Sequence, residues 1–170
     1  MDQLVRRIRA DEWRRYRQLR LEALKDSPLA FVEQYDEALT RPDSYWQDRV
    51  ARNAAGTASG TFVAVHAGEF AGKVSCFVEP EITDRVSGHI VGVYVTPRLR
   101  GRGVIDPLMT VVIRWARAEP GADRIRLFVM ENNERAAACY RRLGFVFTGA
   151  SMAYPPDPTY TELEMELTVY

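Results

Sequence analysis

Cysteine and histidine are scarce in this chain of 170 residues. Cys76 and Cys139 are too few for a disulfide framework, and with only His66 and His89 beside them no metal-ligand spacing arises, so reduced thiols and no metal are expected. An excess of one charge is missing too. Lys plus Arg number 23 and Asp plus Glu number 23, leaving no global field to hold nucleic acid or an acidic membrane surface. Long apolar runs are absent: none approaches the roughly 18 residues of a membrane span. Near the start, Arg6, Arg7 and Arg9 lack the following apolar block of a secretion signal, so the cytoplasm is the expected compartment. Nothing repeats and nothing is low in complexity. What is there is the composition of an ordinary globule, expected to fold as one domain over residues 1–170 with room for a real core.

Periodicity supplies the element order. Residues 4–9 alternate as a first strand, and Asp11 is placed to cap a helix whose apolar stripe includes Trp13, Tyr16, Leu19 and Leu24. Pro28 ends that helix. Residues 27–40 read as irregular or briefly helical, and Pro42 and Asp43 open a second helix with Tyr45, Trp46 and Val50. Residues 61–66 and 70–78 form a hairpin about Ala67-Gly68-Glu69, and residues 89–95 make a third strand. The next helix aligns Val104, Leu108, Val111, Val112 and Trp115 and closes at Pro120-Gly121. A strand over 124–130, a helix over 133–143 and strands at 146–148 and 163–167 complete the chain. This order implies a mixed α/β sheet of seven strands with helices on both faces.

The most informative segment is Val91-Gly92-Val93-Tyr94-Val95-Thr96-Pro97-Arg98-Leu99-Arg100-Gly101-Arg102-Gly103-Val104. It turns an apolar strand through a basic glycine loop into a helix. Two glycines let the main chain approach a ligand closely, and the helix opens with unpaired N–H groups and partial positive charge, to which Arg98, Arg100 and Arg102 add formal charge. Such a site suits a diphosphate. A P-loop is excluded because Gly103 is followed by Val104 and Ile105 rather than Lys and Ser/Thr, and a dinucleotide fingerprint because Asp106 stands where a third glycine is needed. A second segment, Leu127-Phe128-Val129-Met130-Glu131-Asn132-Asn133-Glu134-Arg135-Ala136-Ala137-Ala138-Cys139-Tyr140-Arg141-Arg142-Leu143-Gly144-Phe145, reads as strand, asparagine loop, short helix and glycine stop. Ala136, Tyr140 and Leu143 fall on one helix face.

Together these two motifs resemble the cofactor-side motifs of the GNAT superfamily of acyl-CoA-dependent N-acyltransferases. The resemblance is strong over residues 61–147. It implies a central mixed, mostly antiparallel, seven-stranded sheet in which two parallel neighbours, ending near Val95 and Met130, splay apart to admit the pantetheine arm. It implies acetyl-CoA as co-substrate, held by Val93, Tyr94, Val95, Arg98, Arg100, Gly101, Arg102, Gly103, Val104, Ile105, Asn133, Ala136 and Tyr140. The Val93 N–H, just ahead of the bulged end of the strand, would face the thioester oxygen and Val95 would pair with the pantetheine amides. Tyr140 takes the position of a phenol that protonates the leaving thiolate, a reading favoured over that of a plain core residue of its helix. His89, four residues before Val93 and on the same face as Val91, Val93 and Val95 by the two-residue period, takes the position of a base for the amine; water is the alternative. Asn133 binds pantetheine or caps the helix, and the two roles are compatible. Cys139 invites a covalent acyl-enzyme, but the family mostly transfers directly and small cysteines usually pack.

Asp106 and Pro107 depart from the family pattern by adding a negative charge and removing an N–H, which puts CoA affinity rather than the site itself in question. The expected acceptor is a primary amine of a small molecule, bound between the first two helices with Phe31, Tyr45 and Trp46 as wall and the loop 154–159 nearby. Glu33, Asp36 and Glu37 either attract a cationic amine or form a solvated acidic face. A protein N-terminal or lysine acetyltransferase and a non-catalytic acyl-CoA-binding module are the other readings. Pairing of two copies through the late strands is permitted by the alternation of Leu163, Met165 and Leu167.

Overall fold

Strands in the order β1-β2-β3-β4-β5-β7-β6 form one sheet in the computed structural model, which describes residues 3–80 and 85–168. The elements are β1 (Gln3–Arg7), α1 (Trp13–Asp26), α2 (Tyr35–Leu39), α3 (Asp43–Ala54), β2 (Ser59–His66), β3 (Glu69–Pro80), β4 (Val86–Val95), α4 (Ile105–Ala118), β5 (Arg124–Met130), α5 (Glu134–Arg142), β6 (Val146–Ala153) and β7 (Thr161–Thr168). Every pairing is antiparallel except β4 with β5. The hairpin forms because Ala67 and Gly68 both take positive φ, 50° and 80°, the two-residue turn whose twist matches its strands.

The alternating faces sort the helices. Val74, Cys76, Ile90, Ile125, Leu127 and Met165 bury one face against Leu108, Met109 and Val112 of α4 and Ala137 and Tyr140 of α5. Val63, Phe70 and Tyr94 bury the other against Tyr16, Leu19, Trp46 and Val50 from α1 and α3. Asp11 does not cap α1. A 3-10 turn at Ala10–Glu12 precedes the helix, and it is the Glu12 carboxylate that accepts the Arg9 N–H at 3.0 Å while pairing with Arg6 at 2.6 Å and Arg15 at 3.1 Å. β6 runs well past the expected residue 148. Every one of its residues is exposed and its register with β7 breaks between Phe147 and Ser151, so it has no burial alternation for a sequence pattern to reveal.

Two irregularities position the site. β4 and β5 pair only at Ser87↔Arg124, Gly88↔Ile125 and His89↔Arg126, after which β4 follows β3 and β5 follows β7, opening a gap between them. In the same stretch the β3–β4 register jumps from Ser75↔Val91 to Lys73↔Tyr94, so that Gly92 and Val93 together oppose Val74 in a bulge with Gly92 at φ 64°. A bulge shifts side-chain parity by one. Val93 and Val95 therefore pack with Ile90 on the α4 side, whereas His89 points to the opposite face against Phe77 and Phe128. The expectation that His89 shares a face with Val93 and Val95 is corrected by that extra residue.

Candidate active site

A cleft of about 1490 Å³ runs from the glycine turn, along the gap between β4 and β5, to α1, α2 and α3. At one end Gly101 and Gly103 adopt φ of 73° and 76°, a conformation other residues resist, and a Cβ built at either meets nothing within 4 Å. Among the described residues, no acceptor is bonded to the N–H groups of Gly101, Gly103 or Val104, and no side chain caps α4. These donors, with the first turn of α4, fit a diphosphate. Pro107 is the third residue of α4, where an N–H has no intrahelical partner to lose, and Asp106 is held by an ion pair with Arg142 of α5 that offsets its charge.

The arginines behave differently from one another. Arg100 lines the cleft, but its Nε donates to the Val95 carbonyl at 3.0 Å and its guanidinium is paired with Asp26 of α1, so its charge is already committed. Arg98 lines a separate depression beside Arg15, Gln18 and Glu22, and Arg102 is exposed outside the cleft. Arg135 and Arg142 also line the cleft, Arg142 through its pair with Asp106, and the sequence did not single them out. Tyr94 packs beneath α1 and its phenol donates to Glu22 at 3.1 Å.

In the gap, main-chain directions follow from two contacts. The Thr96 N–H donates to Ala71 of β3 at 2.9 Å, so the Val95 carbonyl, on the other side of that planar peptide, points away from β3. Alternation then sends the N–H groups of both Val95 and Val93 into the gap. The Gly92 carbonyl points the other way and accepts from Lys73 Nζ at 2.7 Å. Val95 thus offers an N–H on an edge that β5 does not pair, its carbonyl being held by Arg100, with Val104, Ile105 and Ala136 on the cleft wall.

Tyr140 is buried beside Phe145, with ring centroids 6.0 Å apart, and reaches the cleft with no hydrogen bond to its phenol among the described residues. Burial pushes its pKa up, so it stays a proton donor at neutral pH. Asn133 caps α5 by accepting the Ala136 N–H at 3.1 Å, which leaves its amide NH₂ for other partners. His89 also lines the cleft. Burial pulls its pKa down against the opposing pull of Glu79, keeping the ring neutral at pH 7. Donation from Nδ1 to Glu79 at 3.3 Å would make Nε2 the basic nitrogen. Cys139 is half-buried with its thiol pKa raised by burial, which disfavours a nucleophilic thiolate.

At the acceptor end, Phe31 and Tyr45 line the cleft, whereas Trp46 is fully buried behind Tyr45. Glu33 is engaged by Arg20 at 3.0 Å and Arg49 at 3.5 Å, Glu37 by Arg41 at 2.7 Å, and Asp36 is exposed away from the cleft. Tyr154 is a buried clamp: its hydroxyl bonds to Phe31 and Pro28 carbonyls and accepts from Gln34. Lys73, Arg20, Arg49 and Glu162, all in the wall, were not anticipated. The one available signal was Lys73, a lone cation within the apolar run Phe70–Val78.

Against known proteins, the model of the acetyltransferase (GNAT) family matches residues 7–145. No curated protein matches the sequence. Among solved structures, a GNAT-family acetyltransferase from Streptococcus pneumoniae superposes with a TM-score of 0.84 at 20% identity, covering 99% of this chain and 100% of that one. The putative acetyltransferase yncA from Salmonella typhimurium, solved with acetyl-CoA, gives 0.78 at 17% identity over 100% and 95%. Nourseothricin acetyltransferase gives 0.56 at 31% identity over 65% of each chain.

Proposed function

Because the chain belongs to the acetyltransferase (GNAT) family, we propose that it transfers an acetyl group from acetyl-CoA to a primary amine of a small molecule, by direct attack within a ternary complex. The observation that carries this reading is the parting of β4 and β5 beyond His89 and Arg126, immediately beside the uncapped glycine turn and within one continuous cleft. Phosphates at residues 101–105 place the thioester in the gap, where the Val93 N–H meets the carbonyl oxygen. Tyr140 supplies the proton that the departing sulfur takes up. His89, directly or through water, accepts the proton that the amine loses. The amine nitrogen bonds to the acetyl carbon as the carbon–sulfur bond breaks, and no covalent enzyme intermediate is needed.

A small acceptor is favoured by the Tyr154 clamp, which pins the 28–34 segment that walls the amine-binding half. The likeness to nourseothricin acetyltransferase supports the same size class. Thiol release from acetyl-CoA, followed against a panel of small amines, amino acids, amine antibiotics and peptides, tests the reading. Turnover of a small amine is the expected result. Turnover of peptides alone would replace the small-molecule acceptor, and CoA binding without turnover of any amine would point to a non-catalytic module.

A further inference from the structure

Lys73 is completely buried, yet among the described residues no carboxylate lies within ion-pairing distance of its Nζ. Glu33, the acid whose charge acts on it, is already engaged by Arg20 and Arg49. Nζ sits 5.8 Å from the Tyr16 ring and 5.3 Å from that of Phe31, and among the described residues makes one hydrogen bond, to the Gly92 carbonyl at 2.7 Å. Burying an amine without a counter-charge is costly, and an apolar residue would fill the space at lower cost. What distinguishes the lysine from such a filler is that single contact.

The contacted peptide is the one that matters for acyl transfer. Gly92 O and Val93 N–H belong to the same planar trans unit and point in opposite directions, so fixing the carbonyl toward Lys73 holds the N–H turned away from Lys73 and, on the acetyl-transfer reading, toward the thioester. This peptide sits in the bulge, where the register skips from Ser75↔Val91 to Lys73↔Tyr94, and glycine at φ 64° leaves it free to rotate. A Cβ at Gly92 would stand 3.0 Å from Nζ, so the lysine would have to give by a few tenths of an ångström, and the positive φ itself favours glycine here. A donor on the carbonyl also withdraws electron density from the amide and strengthens its N–H as a donor. Burial, Arg20 on α1 and Arg49 on α3 lower the Lys73 pKa while Glu33 opposes them, but an N–H remains to donate whether the amine is charged or neutral.

We propose that Lys73 is a positioning residue that orients and polarises the Gly92–Val93 peptide, turning the Val93 N–H into the fixed donor for the thioester oxygen. This rests on the acetyl-transfer reading above. The test combines steady-state kinetics with difference infrared spectroscopy of acetyl-CoA carrying a ¹³C-labelled thioester carbonyl, on wild type and Lys73→Met. In wild type the carbonyl band of bound acetyl-CoA falls below its free-solution frequency. In Lys73→Met it returns toward the free value and kcat drops about 10- to 100-fold, somewhat less than the roughly 10²- to 10³-fold cost of deleting an oxyanion donor outright. KM for acetyl-CoA stays nearly constant, and Lys73→Gln, which retains a donor, recovers part of the band shift. Lys73→Leu, read in the same way, substitutes if the methionine variant does not fold. A wild-type shift that persists unchanged in the Met or Leu variant overturns the role of Lys73 while leaving the oxyanion reading intact. No shift in wild type removes the oxyanion reading and this proposal with it.

Discussion

Tyr140→Phe deletes a phenol oxygen that makes no hydrogen bond among the described residues, so the substitution separates chemistry from packing. The ring keeps its place against Phe145 and in the core beside Ala137 and Leu127. With no partner left unsatisfied, folding stability changes by no more than about 0.5 kcal/mol. The reaction loses its proton donor to the sulfur, which at the general scale of acid catalysis costs about 10²-fold in kcat, or about 2.7 kcal/mol of barrier. Because the phenol of wild type stays protonated well above neutrality, no limb of the pH–rate profile below about pH 10 belongs to it. The assay is thiol release from acetyl-CoA at saturating amine, run beside urea denaturation. A kcat loss below about threefold, against the expected scale for an acid catalyst, would remove Tyr140 from the mechanism.

Gly103→Ala and Gly121→Ala impose the same left-handed strain, about 1 kcal/mol of stability each, since neither Cβ meets another atom. Only the first weakens CoA binding, by about tenfold or more, equivalent to about 1.4 kcal/mol, and equal affinities by calorimetry would refute the cradle. The Glu12 pKa is pulled down to about 2 by Arg6 and the Arg9 N–H, so its stabilisation is fully present above the unfolded carboxyl's value and is lost as pH falls toward 2. Allowing for solvent screening, this is about 2 kcal/mol, read as a urea-midpoint difference between wild type and Glu12→Gln that shrinks from pH 7 to pH 3; a constant difference would contradict it. Tyr154→Phe frees the segment carrying Phe31 and Glu33, costing about 1–2 kcal/mol of stability and raising KM for the amine but not for acetyl-CoA. Equal rises in both KM values would count against that clamp.

The parts legible in the sequence were those encoded locally. The glycine turn, the Asn133 cap, the strand-helix alternation and the hairpin at Ala67-Gly68 depend on a few consecutive residues whose backbone preferences are strong, and each appears in the structure where expected. A bulged end to this strand was implied by the family resemblance alone, because Gly92 inside an apolar strand is compatible with an ordinary ladder. Carrying the two-residue period through the bulge inverted the facing of His89. The commitments of Arg100 to Asp26, 74 residues away, and of Arg20 to Glu33 across the α1–α2 connection are tertiary ion pairs with no local signature. For the same reason Lys73 read as one charged residue in a strand. Its meaning depends on the carbonyl it meets 19 residues further on.

Calorimetric titration with acetyl-CoA and with acetyl-pantetheine, which lacks the linked phosphates, probes most directly whether main-chain amides at residues 101–105 hold the co-substrate. The expected outcome is acetyl-CoA binding in the micromolar-to-millimolar range of enzyme substrates, with acetyl-pantetheine weaker by about tenfold or more. Absence of heat with acetyl-CoA, or equal affinity for the two compounds, would contradict the account.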